Sequence, residues 1–184
     1  KHAAIPPERT ETAYNVAFSG FPFGPEKRHI GHRDTCPCGR GEETCEHTFW
    51  KCARSWRLFE MIFERWRRIT GDAGVRVEDG RIVIFGDRSG TWADEASEAA
   101  FAGLEEPFAV IHKATLHVIK EERDRDAAPN AKTRRTAAQL YQKVAKYVQR
   151  NVETRWREAH ADEEKMQAFL KRWSAPMFVA MREG

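Results

Sequence analysis

The four cysteines of the chain, Cys36, Cys38, Cys45 and Cys52, fall within seventeen residues, with His47 among them. A disulfide framework in a chain of 184 residues would spread its cysteines to tie distant segments together. Clustering around a histidine instead favours a metal site. A Cys36–Cys38 bridge would also close a strained ring across a single residue, although two disulfides stay open for an exported protein. Three thiolates and one imidazole are a donor set suited to tetrahedral zinc. The preferred ligands are Cys36, Cys38, His47 and Cys52. Gly39 lets the chain turn tightly after the first pair, and Arg40, Lys51 and Arg54 help keep the thiols deprotonated. One residue between Cys36 and Cys38 is shorter than the usual two to four. Cys45-x-His47 has the same short spacing, so Cys45 is the alternative donor; it is read here as a small buried hydrophobe. A third possibility is four ordinary reduced cysteines under a loop. A segment this short cannot bury a core, so the metal would supply its folding free energy.

The remainder reads as mainly helical. Trp56, Phe59, Ile62, Phe63, Trp66 and Ile69 recur at three- and four-residue steps, predicting an amphipathic helix over Ser55–Ile69, N-capped by Ser55 and stopped at Gly71. A short helix is expected over Glu8–Phe18, with Tyr14 and Phe18 on one face, ended by Gly20-Phe-Pro-Phe-Gly-Pro25. Val75 and Val77 alternate with charge, Asp79-Gly80 is a turn signal and Arg81–Phe85 is β-rich, so a hairpin or one short strand is expected over Val75–Phe85. Residues 86–105 read as loop with a short acidic helix over Ala93–Phe101. Long helices are expected over Glu106–Arg125 and Thr133–Ala159, the first with Phe108, Ile111, Thr115, Val118 and Ile119 inside. The second buries Leu140, Tyr141, Val144, Val148, Val152 and Trp156. A last helix, Asp162–Trp173, buries Met166, Phe169, Leu170 and Trp173. The expected architecture is a small CCHC-type zinc knuckle packed on a helical bundle, with at most one short β-hairpin. Its parts are a lead-in over 1–35, the knuckle and its helix over 36–70, and a helical body over 71–184.

Net charge is +3, but it is unevenly placed: +3 over residues 1–70, −6 over 71–131 and +6 over 132–184. Two basic segments flank an acidic middle, so a polyanion would be met by the ends of the chain; solvated helix faces are the plainer reading. Eleven Phe and six Trp exclude a disordered tail. No apolar run approaches the length of a membrane span, and no membrane association is expected. The chain opens on Lys1 without a leader, and is read as part or a processed form of something longer. An intracellular place, nuclear or cytoplasmic, is expected, with secretion by a removed leader left open.

Arg28-His29-Ile30, His32, Thr35-Cys-Pro-Cys-Gly39, Glu43-Thr44, Glu46-His47-Thr-Phe-Trp50 and Cys52 together resemble the zinc-binding domain near the C-terminus of non-LTR retrotransposon reverse transcriptases. The likeness is carried by residues 28–70. Beyond them, His117-Val-Ile-Lys-Glu-Glu-Arg123 looks like that family's second helix, ending in a charged Arg. The family pattern is C-P-x-C-G, so the one-residue gap here is a departure, and Cys45 falls on an apolar position of the family. The resemblance implies a non-catalytic domain that handles RNA or target DNA beside a polymerase, with zinc as its cofactor. No Asp-Asp pair in a strand–turn–strand setting is seen, and no small-molecule substrate is expected. Candidate phosphate contacts are Arg40, Lys51, Arg54, Arg57, Arg65, Arg67 and Arg68 on and beside the finger helix, and Lys132, Arg134 and Arg135 before the later basic helix. Trp50 either stacks on a base or packs against the finger.

Other readings are weaker. His29 and His32 lack a carboxylate at helical spacing, and each cysteine lies too close to a candidate metal to serve as a free nucleophile. Ile84-Phe-Gly-Asp-Arg-Ser-Gly90 superficially resembles the first strand of a ribonuclease-H-like nuclease, with Asp87, Asp94 and Glu98 as carboxylates, but the further strands are missing. The chief alternative is a protein-interaction module, a domesticated or secreted effector-like copy presenting its aromatic residues to a partner.

Overall fold

The computed structural model describes residues 7–17, 20–21, 23, 35–88, 103–127 and 134–173. Helices α1 (Pro7–Ala17), α2 (Ala53–Thr70), α3 (Gly80–Phe85), α4 (Glu105–Ala127), α5 (Ala137–Ala159) and α6 (Glu163–Trp173) make up most of it, with a π-helical turn over His47–Lys51 leading into α2. Among the described residues the β pairing is a single isolated antiparallel bridge, Thr35 with Glu42. The architecture is thus mainly α with a Cys/His cluster beside the helices, as expected.

Helix α4 is the central element. Phe108, Ile111, Thr115, Val118 and Ile119 are buried as predicted, but so are Val110, Ala114, Leu116 and His112. A helix buried around most of its circumference is one surrounded by protein. It packs against α1, α5 and the π turn, and Phe63 and Trp66 of α2 bring their rings to within 6.1 and 5.0 Å of Phe108. One core therefore runs from Val16 to Trp173.

Helix α2 buries Leu58, Phe59, Ile62, Phe63 and Trp66 along one stripe. It ends where predicted: Gly71 sits in the left-handed region at φ 76°, and its N–H returns to the Arg67 carbonyl at 2.8 Å. Its start differs. Cys52 is the N-cap, and Ser55 is buried inside the first turn, where its Oγ donates to the Thr48 carbonyl at 2.6 Å and ties the π turn to the helix.

No hairpin forms over Val75–Phe85. Val75 and Val77 are both buried, but Val77 lies in a turn closed by the Asp79 N–H on Arg76 O at 3.3 Å, and no strand pairs with either. Their carbonyls are taken by side chains instead: Arg67 Nη1 donates to Val75 O, and Trp50 Nε1 to Val77 O, both at 2.8 Å. Asp79 is a helix cap rather than a turn residue, accepting from the Arg81 N–H at 2.9 Å, and Gly86 at φ 67° closes α3. The β-branched run Ile82-Val83-Ile84 is held in a helix because burial of Ile82 and Val83 outweighs its weak local preference. Asp87 accordingly leaves a helix, not a strand. Its N–H points to Arg81 O at 3.4 Å, so the residues before it are not the strand that the nuclease-like resemblance requires.

Helix α5 begins at Ala137, later than Thr133, because Thr136 and Gln139 form a reciprocal capping box. Its buried stripe runs Leu140, Val144, Val148, Asn151, Arg155, Ala159. Trp156, expected inside, lies one step off that stripe; it is 44% exposed and stacks on His160 at 4.6 Å. On α6 only Trp173 is buried; Met166 and Phe169 are half-buried and Leu170 is exposed. Helix α1 matches its predicted range within a residue, but Tyr14 faces solvent. The predicted acidic helix over Ala93–Phe101, together with Phe18, His29, His32, Lys132, Asp94 and Glu98, lies outside the described residues.

His112 is sealed in the core, 6.2 Å from the Phe108 ring and hydrogen-bonded through Nε2 to Val83 O at 2.8 Å. Burial, only partly offset by that carbonyl and aided by Lys113, lowers its pKa from 6.5 to about 4. The imidazole is neutral in the fold, whereas the unfolded chain binds a proton below pH 6.5. Stability is therefore full above pH 6.5 and falls as pH drops toward 4, by about 3 kcal/mol in all. Denaturant titrations at pH 7 and pH 5 with metal in excess are expected to show about 2 kcal/mol of this loss in the wild type. His112→Gln should remove that increment; an equal pH dependence in both proteins would contradict it.

Candidate metal centre

The segment from Thr35 to Cys52 folds back on itself to gather the four predicted donors. The ligand atoms of Cys36, Cys38, His47 and Cys52 all lie within 4.8 Å of one another. Cys36 Sγ is 4.0 Å from Cys52 Sγ, and Cys38 Sγ is 3.2 Å from His47 Nε2. A tetrahedral site with metal–sulfur bonds of about 2.3 Å has sulfur–sulfur edges of about 3.8 Å, so the cage has the dimensions of such a site. None of the four cysteines is in a disulfide.

The short Cys36-x-Cys38 spacing is accommodated by backbone geometry. Gly39 N–H reaches back to Cys36 O at 2.9 Å with Gly39 at φ 74°, and Cys36 N–H bonds to Gly41 O at 2.9 Å. That tight loop brings both sulfurs to the same side, and Arg40 N–H then points at Cys38 Sγ, 3.4 Å away. His47 is aimed from the π turn, where its N–H is held by Thr44 Oγ1 at 3.0 Å. Cys45 lies outside the cluster: its thiol points to the Val16 carbonyl at 3.4 Å and packs against the core.

Cys52 carries the anionic character of the buried pair. The hydrogen bond from Cys36 lowers its pKa to about 5 against the cost of burial, helped by the Arg54 and Ser55 amides at the start of α2. Cys36 is pushed upward by the same bond and by burial. A thiolate at a helix N-terminus is already prepared to ligate.

Besides Cys45, two further contacts fasten the knuckle to the bundle. Glu43 and Arg123 form a buried ion pair at 2.6 Å between the knuckle and α4, and Arg123 also covers the Phe23 ring at 4.5 Å. Trp50 packs onto Gly80, where an added Cβ would fall 2.7 Å from the indole Cζ3. Trp50 thus packs against its own protein, the second of its two expected roles.

The predicted basic residues divide. Arg54 pairs with Asp126 at 2.7 Å, Arg135 with Glu122 at 2.9 Å and Arg134 with Asp126 at 3.9 Å. Arg125, which the sequence reading passed over, also pairs with Glu122 and Asp126. Residues from the start of α2, the end of α4 and the approach to α5 thereby meet at one apex, beside a cavity of about 20 Å³ whose walls include Cys36, Cys52, Arg54, Glu122 and Arg123. The remaining basic residues are not at the apex. Lys51 pairs with Glu46 at 2.8 Å, Arg68 with Glu64 at 3.1 Å, and Arg57 with Glu60. Arg67 is spent on Val75 O; Arg65 lines a small apolar cavity between α2 and α5; Arg40 is exposed on the knuckle. Arg123 and the acids Glu122 and Asp126 were missed as site residues because nothing local marks an acid on a charged helix as buried.

Thr12, His117 and Glu121 line up in the order of a nucleophile, base and acid, with Thr12 Oγ1 3.2 Å from His117 Nδ1 and His117 Nε2 3.7 Å from Glu121. Thr12 is only 3% exposed in the seam between α1 and α4, and Tyr147 and Lys143 also hold Glu121. The arrangement joins helices. No described helix is long and apolar enough to cross a membrane. Compared with protein-family models, curated proteins and solved structures, the chain matches none of them.

Proposed function

We propose that this chain is a zinc-stabilised, non-catalytic helical module that binds nucleic acid through its phosphates. Three thiolates and an imidazole in a cage of tetrahedral size are the donor set zinc prefers. Zinc would add structure rather than chemistry, since four protein donors leave no open coordination position. The observation that carries the nucleic-acid reading is the meeting of Arg54 with Arg134 and Arg135, far apart in sequence, at an apex beside the metal cage. It agrees with what the resemblance to the retrotransposon reverse transcriptase domain implies. Phosphate contact of this kind is salt-sensitive and largely indifferent to base sequence. Metal-quantified protein titrated into labelled RNA and DNA over a salt series is expected to bind at micromolar concentrations or tighter, weakening steeply with salt. Metal present with no binding to either polymer would count against it.

A protein-interaction role has one specific observation in its favour. A groove of about 610 Å³ runs between the π turn and α3, with Trp50 and Ile84 in its wall and Glu46, Glu78, Asp79 and Arg81 around it, Asp79 being paired with Arg81 and Glu46 with Lys51. Phe85 stands in it 58% exposed. An apolar peptide segment seated against Phe85 and Trp50, with polar flanks for the mixed-charge rim, is the chemistry that groove would suit.

A further inference from the structure

Glu122 and Asp126 sit one helical turn apart on α4, and each side chain is only 1% exposed. Four guanidinium groups cover them, those of Arg54, Arg125, Arg134 and Arg135, for a net charge of +2. The acids are hidden beneath and the bases face out: the Arg134 and Arg135 side chains are 53% and 39% exposed. We propose that Arg134 and Arg135 take the phosphodiester groups of nucleic acid at this apex, and that Glu122 and Asp126 beneath them set how strongly. The inference rests on the nucleic-acid reading above and names the surface and its regulator.

A guanidinium carries five N–H donors in a rigid fork. Arg135 uses Nη1 on Glu122 at 2.9 Å, and Arg134 approaches Asp126 through Nε at 3.9 Å, which leaves their outer edges for a second oxyanion. Holding both side chains against a buried acid lowers the entropy lost when a phosphate arrives. The first-turn amides of α5 are partly consumed by the Thr136–Gln139 capping box, so recognition falls to side chains rather than to the helix end. The buried acids also offset the attraction. Each carboxylate cancels one unit of the apex charge, and neutralising one raises the field felt by an incoming phosphate. The apex is therefore a moderated phosphate site.

The test is anisotropy of a labelled single-stranded RNA and a labelled DNA duplex over a potassium chloride series, using the full chain. Arg134→Gln/Arg135→Gln is expected to weaken binding about tenfold and to flatten the log–log salt slope by about 1 to 2. Asp126→Asn should tighten binding, by roughly three- to tenfold. Lys146→Gln/Arg150→Gln, on the exposed face of α5, should leave affinity within about twofold. Helicity and metal content identify any variant that fails to fold, and Arg134→Gln alone, at a largely exposed position, keeps the test decisive if Asp126→Asn does. Wild-type binding with apex variants of equal affinity and slope would overturn the apex while leaving the nucleic-acid reading standing. A folded Asp126→Asn that binds more weakly would overturn the moderating role. Failure of the wild type to bind either polymer would overturn both.

Discussion

Removing the metal is expected to release the knuckle and lower the thermal midpoint by roughly 10 °C or more. Between Thr35 and Cys52 the buried residues include Cys36, Glu43, Thr48, Phe49 and Cys52, too little apolar surface to hold that segment unaided. Two of them are donors, and Cys52 is also the N-cap of α2. Without an ion, the thiolate character gathered at Cys52 has no cation to answer it, and the first turn of α2 loses its anchor. The rest of the core, around α4, persists, so the expected result is a less stable, partly folded chain rather than a coil. Cys36→Ser, Cys38→Ser, His47→Gln and Cys52→Ser should each lose metal by mass spectrometry and show the lowered midpoint. Cys45→Ala should keep its metal, since its thiol serves Val16 O. Loss of metal from Cys45→Ala with retention in Cys36→Ser would reverse the ligand set.

The second large effect is at the Glu43–Arg123 pair. Both side chains are buried, and the 2.6 Å contact crosses from the knuckle to the central helix. Taking the guanidinium from a buried carboxylate is expected to cost about 3–5 kcal/mol, so Arg123→Ala should lower the thermal midpoint by roughly 10 °C. Arg123 also covers Phe23, and part of that loss is packing. Because removing one member of a buried pair costs more than replacing both by apolar groups, Glu43→Leu/Arg123→Met should be less destabilised than Arg123→Ala. Equal losses in the two would mean that packing rather than charge fastens the knuckle. Denaturant unfolding of the metal-saturated proteins decides between them. The same pair fastens a Cys/His loop with little core of its own to the bundle.

Local chemistry was readable where it depended on near neighbours in sequence. The donor cluster is one case: three thiols and a histidine within a short loop have few other uses, and the Gly39 turn brings the short-spaced pair to one side. The stripe of α2 and its Gly71 stop are another, since a three- and four-residue period with a glycine after it suffices for both. The capping box of α5 was equally local, though Thr133 obscured it. What failed was of a different kind. Val75 and Val77 alternate as a strand would, but whether a strand forms depends on a partner strand. Here the carbonyls went to Arg67 and Trp50.

Trp156 differs from Val148 only in which side of α5 the bundle covers, and hydrophobicity does not encode that side. The arginines show the limit most clearly. In the sequence Arg54, Arg57, Arg68, Arg134 and Arg135 look alike, yet Arg57 and Arg68 pair along their own helix while Arg54, Arg134 and Arg135 pair with Glu122 and Asp126 of α4. Counter-ions are chosen by whichever elements meet in space, and the buried acids Glu122 and Asp126 found their arginine partners only when α2, α4 and the approach to α5 closed over them. Sequence alone determined the clustering of candidate donors and the helical character, because both follow from residues that are neighbours along the chain. Tertiary structure alone decided which charges are spent inside and which face solvent, because that depends on contacts between elements distant in sequence.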